Sequence, residues 1–274
     1  MMYEQTRTIW WQAHRGGGAH EAPDNTMAAN RYTWALGGIP EADLRTTKDG
    51  VIICLHDDTL ARTTTAPSSI KDTSASDLTF DEIRPWDAGL KFDDRFRGET
   101  VPSLQDVFAE MSGRPERMMY LDLKQVDLVQ LGKLIDQYGV NRQVIFTHHL
   151  QDNCRRMKQI ASDVRSMLWI GGKAEQIKEK FELARRSSFD GLDQVQLHLN
   201  LLNDPQGDWR YTLEPEFLEY ALQVTSSCGI ELEVLPFSFD ERSIHLLLQL
   251  GIQWFATDEP SLFVTYVRSW QKST

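Results

Sequence analysis

Residues Met118 to Thr147 read MMYLDLKQVDLVQLGKLIDQYGVNRQVIFT, one complete unit of the chain's architecture with the start of the next. In Met118 to Lys124, Leu121 and Leu123 project one way and Asp122 and Lys124 the other, which predicts a strand. Val126 to Tyr138 reads as a helix and is followed by Gly139, a helix-stop signal. Gln143 to Thr147 is a strand again. Working outward, the same strand-then-helix unit recurs along the chain. Strands are predicted at Thr8–Ala13, Ile39–Leu44, Met118–Lys124, Gln143–Thr147, Val164–Trp169, Gly191–Leu197, Ile230–Leu235 and Ile252–Thr257. Each is followed by a helix, the first over Thr26–Leu36 with Asn25 as its N-cap, the last over Pro260–Trp270. Eight such units predict an α/β fold, a single (β/α)8 TIM barrel over residues 1–274. A doubly wound open sheet is the alternative, because periodicity carries no information about closure.

The chain has 274 residues, 41% of them hydrophobic, which suffices for a full core. It contains no apolar run long enough to span a bilayer. A formal net charge of −11 argues against nucleic acid and against anionic membrane surfaces. A small phosphate compound stays possible, since it needs only local positive charge. Cys54, Cys154 and Cys228 are scattered and read as buried apolar residues, with neither disulfide nor metal-ligand spacing. The opening MMYEQTRTIWW lacks a leader pattern, so a cytoplasmic location is expected.

If the fold is a barrel, functional residues belong just after the strands, at one face. The candidates fall there. His14-Arg15-Gly16-Gly17-Gly18 follows the first strand. Glu41 and Asp43 sit two apart on the second, so both reach one side and one ion. Asp49-Gly50 predicts a two-residue hairpin turn, with Val51–Leu55 as the return arm and His56 opposite Asp43. Asp122 and Lys124, acid and base on one face of the third strand, are costly in a core unless paired or ligating. Residues 60–100, rich in Thr, Ser and Asp, predict a small insertion after the second-strand hairpin: a lobe or lid over the site, packed by Phe80, Trp86, Phe92 and Phe96. Glu231 and Glu233 share a face of the seventh strand, and Glu233 is a candidate for contacting substrate hydroxyls. His20, His148, His149, His198 and His245 are expected to be structural, with His148 and His198 the two placed where they could touch substrate.

An ordered set of short blocks carries a resemblance. These are His14-Arg15-Gly16, Pro23-Asp24-Asn25-Thr26, Glu41-Ala42-Asp43, Thr47-Lys48-Asp49-Gly50, His56-Asp57 with Arg62-Thr63-Thr64, Val101-Pro102-Ser103-Leu104, Leu121-Asp122-Leu123-Lys124 and Thr257-Asp258-Glu259-Pro260. Together they resemble the glycerophosphodiester phosphodiesterases, densely over the first 125 residues and more sparsely after. The resemblance implies a metal-dependent hydrolase on a TIM barrel, releasing sn-glycerol 3-phosphate and an alcohol. It implies His14 and His56 as the acid–base pair, Glu41, Asp43 and Asp122 as ligands of Mg²⁺ or Ca²⁺, and Arg15 and Lys124 as phosphate ligands. The chain departs from that pattern at Asp24 and Asp122, where the family usually has Glu. It departs again on the seventh strand, where Glu231 to Phe237 lacks the family's site-lining tryptophan. Two other readings are a related phosphodiesterase acting on lysophospholipid or sugar diesters, and a non-catalytic phosphate-binding barrel. Intact His14, His56, Glu41 and Asp43 argue against the last.

Overall fold

The computed structural model describes residues 8–205 and 207–273; residues 1–7, read above for a leader, lie outside them. Eight parallel strands form the barrel: β1 (Trp10–Ala13), β2 (Ile39–Thr46), β4 (Met119–Gln125), β5 (Val144–His148), β6 (Arg165–Ile170), β7 (Gln194–Leu199), β8 (Glu231–Pro236) and β9 (Trp254–Thr257). A short strand, β3 (Ile52–Cys54), returns antiparallel beside β2. Closure is made by β1, which pairs with β9 on one side and with β2 on the other. That pairing excludes the open sheet. Helices α1 (Met27–Leu36), α3 (Leu104–Met111), α4 (Leu128–Tyr138), α5 (Gln151–Ile160), α6 (Ala174–Arg186), α7 (Pro215–Ser227), α8 (Glu241–Gln249) and α9 (Pro260–Ser273) follow the barrel strands in turn. The main core lies between strands and helices, from Leu121, Phe146, Val195 and Val234 outward to Leu131, Phe181 and Leu247.

Inside the barrel, Ile39, Tyr120, Ile145, Met167 and Trp254 form an apolar floor. A polar layer accompanies them. Glu233 is fully buried and accepts hydrogen bonds from Tyr120 Oη (2.7 Å), from Gln194 Nε2 (2.7 Å) and from Gln196. Burial pushes the Glu233 carboxyl up to about 7, against the pull of those donors.

Several local expectations are corrected. The β2–β3 turn has three residues, not two. Thr47 N–H bonds Val51 O (2.9 Å), and Gly50 N–H bonds Thr47 O with Gly50 at φ 81°. Only Gly50 is left-handed, so the turn is the type that ends in a glycine bulge and not the two-residue form that needs two such positions. The register slips by one: Leu44 faces Cys54, and Leu55 N–H bonds Asp43 O, so Leu55 takes the place predicted for His56. Asn25 does not cap α1. Thr26 does, its side chain accepting from Ala29 N–H, and Asn25 turns inward at φ 57°. Of the cysteines, Cys54 and Cys154 are buried as expected, whereas Cys228 is exposed at the end of α7.

The 60–100 segment carries a helical turn, α2 (Phe80–Ile83), and its own small core. That core is mostly aliphatic: Leu60, Leu78, Ile83 and Val101 pack on Ile53 and Leu55, with Phe80 and Trp86 at its margin. Phe92 and Phe96 meet each other edge-on at 5.7 Å. The alternation of β3 sets this up. Ile52 and Cys54 face the barrel core and Ile53 faces the lobe, so one short strand serves two cores. The lobe therefore flanks the site beside the hairpin. The loop after β1 is also fixed: Glu21 accepts from Ser261 N–H at the start of α9 (3.0 Å). Gly18 (φ 74°) lies so close to the β9–α9 turn that a Cβ would sit 2.4 Å from Asp258 O.

Candidate active site

A cavity of about 270 Å³ opens at the C-terminal ends of the strands. Its lining includes His14 and Arg15 after β1, Glu41 from β2, His56 after β3, and Asp122 and Lys124 from β4. β2 and β4 are neighbours in register, with Asp43 directly beside Asp122. Carboxylate oxygens of Glu41, Asp43 and Asp122 consequently lie within 4.8 Å of one another. Lys124 Nζ stands between two of them, 3.0 Å from Asp43 Oδ1 and 2.6 Å from Asp122 Oδ2.

The acids are held by backbone that only particular residues adopt. Arg15 is left-handed at φ 54°, and its N–H meets Glu41 Oε2 at 2.6 Å. Asn25 grips Asp43 at both ends, donating from Nδ2 to Oδ2 (2.9 Å) and accepting Asp43 N–H (2.9 Å). Burial, reinforced by the charge of Asp43, pushes Glu41 up to about 8. Burial works on Asp43 in the same sense, but Lys124 and His56 outweigh it and hold Asp43 low. Asp122 is raised, chiefly by burial. Glu41 Oε1 is buried and makes no hydrogen bond.

Each imidazole is held through Nδ1 by a carboxylate: His14 by Asp258 (2.9 Å) and His56 by Asp57 (2.8 Å). Both acids stay ionised, Asp57 near 2 under the pull of Arg62, and Asp258 held low by His14 despite burial. An ionised acid can only accept, so Nδ1 carries the proton in both rings and Nε2 is left to the cavity. Burial alone would lower His14, yet the Asp258 hydrogen bond and the charge of Glu41 raise it to about 9.

The opposite wall is aromatic. Trp169 stacks on His198 (5.4 Å between ring centres, 5° between planes), and His198 meets Phe237 edge-on at 5.1 Å. Met167 and Leu235 complete it. So the side that lacks the expected tryptophan on β8 receives an indole from β6. Burial lowers His198 to about 4, keeping it neutral. His198 thus lines the cavity, while His148 is buried at the end of β5, stacked on His149 at 4.4 Å.

The structure gathers every predicted site residue but one. Glu233 lies below the cavity with both oxygens occupied by protein donors, and its surroundings make it a strut of the polar layer, not a substrate contact. Sequence reading missed Asn25, Asp57, Asp258, Trp169 and Phe237 as parts of the site. The first three stand inside the quoted blocks, Asp57 directly after His56; Trp169 and Phe237 have no local signal.

An anionic ester, whose charge must be taken up and whose leaving oxygen must be protonated, is what this face of the barrel suits. The class is that of the (β/α)8-barrel phosphodiester hydrolases. Comparison with known proteins makes it particular: the chain belongs to the glycerophosphoryl diester phosphodiesterase family, whose model matches residues 14–262. It is 27% identical over 269 residues to the glycerophosphodiester phosphodiesterase of Caldanaerobacter subterraneus subsp. tengcongensis, covering 93% of this chain and 96% of that protein. To glycerophosphodiester phosphodiesterase 1 of Homo sapiens it is 38% identical over 101 residues, 36% of this chain and 29% of that one. Among solved structures the fold is similar to a glycerophosphodiester phosphodiesterase from Agrobacterium tumefaciens, with TM-score 0.73 and 23% identity over 94% of this chain and 100% of that chain. It is also similar to an Oleispira antarctica phosphodiesterase in complex with the product sn-glycerol-3-phosphate, with TM-score 0.72 and 17% identity over 95% and 97%. Among the described residues no helix is long and apolar enough to cross a membrane.

Proposed function

We propose that the protein is a metal-dependent glycerophosphodiester phosphodiesterase that releases sn-glycerol 3-phosphate and an alcohol by acid–base catalysis between two histidines. The observation that carries this reading is the trio of carboxylates within 4.8 Å of one another, with His14, His56, Arg15 and Lys124 around the same cavity. The trio fits a hard divalent cation, Mg²⁺ or Ca²⁺: all donors are carboxylate oxygens, and Glu41 Oε1 is buried with no protein partner. Glu41, Asp43 and Asp122 would hold the ion, which when bound supplies charge to the phosphate oxygens.

The chain's own residues do the rest. Arg15 and Lys124 are placed to bind the phosphate and take up charge that develops on it. His14, protonated at neutral pH, fits the acid that gives a proton from Nε2 to the leaving alkoxide. His56 fits the base, taking a proton at Nε2 from the nucleophile. The nucleophile is water, directly or after the glycerol's own neighbouring hydroxyl has closed a cyclic phosphate. Membership of a hydrolase family leaves the non-catalytic barrel without support. The apolar wall favours one second reading, in which the diester is a lysophospholipid, since Phe237 is 46% exposed at the cavity's edge.

Released glycerol 3-phosphate, followed from glycerophosphocholine and glycerophosphoethanolamine, tests the proposal. Release that stops with EDTA and returns with Mg²⁺ or Ca²⁺ is expected; no release from folded protein with either ion would overturn it. Lysophosphatidylcholine as the better substrate would establish the second reading. His14→Ala and His56→Ala should each lower kcat by at least about 10²-fold. Near-normal turnover by either folded variant removes that residue from the mechanism.

A further inference from the structure

Arg62 belongs to the lobe, and the reaction as derived gives it no part. Its guanidinium nevertheless holds two carboxylates at once. Nε donates to Asp57 Oδ2 (2.6 Å), Nη2 to Asp57 Oδ1 (3.1 Å) and Nη1 to Asp24 Oδ2 (2.7 Å). Each carboxylate is shared with a functional residue. Asp57 Oδ1 also accepts from His56 Nδ1 (2.8 Å), and Asp24 Oδ2 also accepts from Arg15 Nη1 (3.0 Å). The result is a chain of five side chains, His56–Asp57–Arg62–Asp24–Arg15, running from the proposed base to a proposed phosphate ligand.

The backbone under Arg62 is fixed by the lobe. Leu60 is fully buried in the lobe core, and Thr64 closes the turn by donating from N (3.1 Å) and Oγ1 (2.9 Å) to Leu60 O. A planar fork of five N–H donors can grip one carboxylate with two bonds and a second with a third; an ammonium, a compact point charge, cannot repeat that geometry.

We propose that Arg62 is a positioning residue which, through Asp57 and Asp24 together, sets the His56 ring and the Arg15 guanidinium relative to each other and so gives the lobe its part in turnover. This rests on the reading that His56 and Arg15 act on the diester. A displacement of about 1 Å in such a pair is enough to cost tenfold to a hundredfold in rate.

The test is the kinetics of Arg62→Ala and Arg62→Lys on glycerophosphocholine, with Arg142→Ala as a control at an exposed cation (88% exposed side chain). Arg62→Ala should lose about tenfold to a hundredfold in kcat with its thermal midpoint little changed. Arg62→Lys should not recover it. Guanidinium ion at sub-denaturing concentration should restore part of the activity of Arg62→Ala, because the site is open to solvent, and should not activate the wild type or the control. Wild-type kcat in Arg62→Ala overturns the proposal, and so does a loss that follows thermal stability and that guanidinium leaves unchanged. A wild-type protein inactive on every diester overturns the functional reading instead. Imidazole ¹H–¹⁵N spectra then decide on Arg62, since its removal must disturb the Nδ1–H form of His56 whether or not the protein turns over; an unchanged His56 signal overturns the proposal.

Discussion

Two non-glycine residues next to the acids, Arg15 and Asn25, occupy the left-handed region. That conformation costs roughly 1 kcal/mol or more for an ordinary residue, and here each uses it to aim polar groups at a buried carboxylate. Asn25 tolerates it best, because its short amide bonds locally. Asn25→Ala should therefore destabilise the fold by about 1–3 kcal/mol in urea denaturation, since a buried Asp43 N–H and a carboxylate oxygen both lose their partner. Asn25→Gly keeps the backbone freedom and loses only the amide. If the two variants are equally destabilised, the hydrogen bonds carry the effect; if Gly is near wild type, the backbone does. His14 offers a pH test. Its folded pKa, about 9, stands above the ordinary 6.5, so the charged ring adds stability below about pH 6.5 that is lost as pH rises through 9. As the acid it should also make kcat/KM fall above that pH. Asp258→Asn removes the main raising partner and should move the alkaline limb toward neutrality; an unmoved limb would take His14 out of the acid role.

At the scale of elements, the lobe and barrel meet through β3, and the two cores are separable. Leu60 is fully buried in the smaller one. Leu60→Ala should cost about 2–5 kcal/mol, felt locally: amide exchange should quicken over 60–100 while β5 to β7 stay protected. Uniform quickening would mean that lobe and barrel unfold together. This contact also marks where sequence reading stopped. The order of strands and helices was legible because each carries its own period, and Asp122 with Lys124 announced itself as two charges on one strand face. The hairpin register was not, because Asp49-Gly50 is compatible with two loop lengths and only the actual φ of Asp49 separates them. Asn25 and Thr26 are both good caps, and the choice was made by Asp43, eighteen residues away. Closure, the Trp169 wall and the reach of Arg62 depend on contacts between distant parts of the chain that no local pattern encodes.

For the whole molecule, the parallel barrel forces three acids into one mouth, and Lys124 sets its ammonium between only two of them, Asp43 and Asp122. The imbalance is visible at Glu41, held protonated to about pH 8 by burial and by Asp43. Its folded pKa is raised, so its contribution to stability is full below about pH 4.5 and is lost as pH rises through 8. A divalent cation bound there should cancel that loss. At pH 8, Mg²⁺ or Ca²⁺ at about a hundred times its dissociation constant should add about 2.7 kcal/mol, a rise of roughly 5 °C or more in the thermal midpoint for a chain of this size. Glu41→Gln keeps the shape of the protonated acid but cannot ionise. It should be at least as stable as the wild type without cation at pH 8, and should lose most of the cation-induced rise. An equal rise in both proteins would place the ion away from Glu41, and the charge on the phosphate would then have to be met by Arg15 and Lys124 without it.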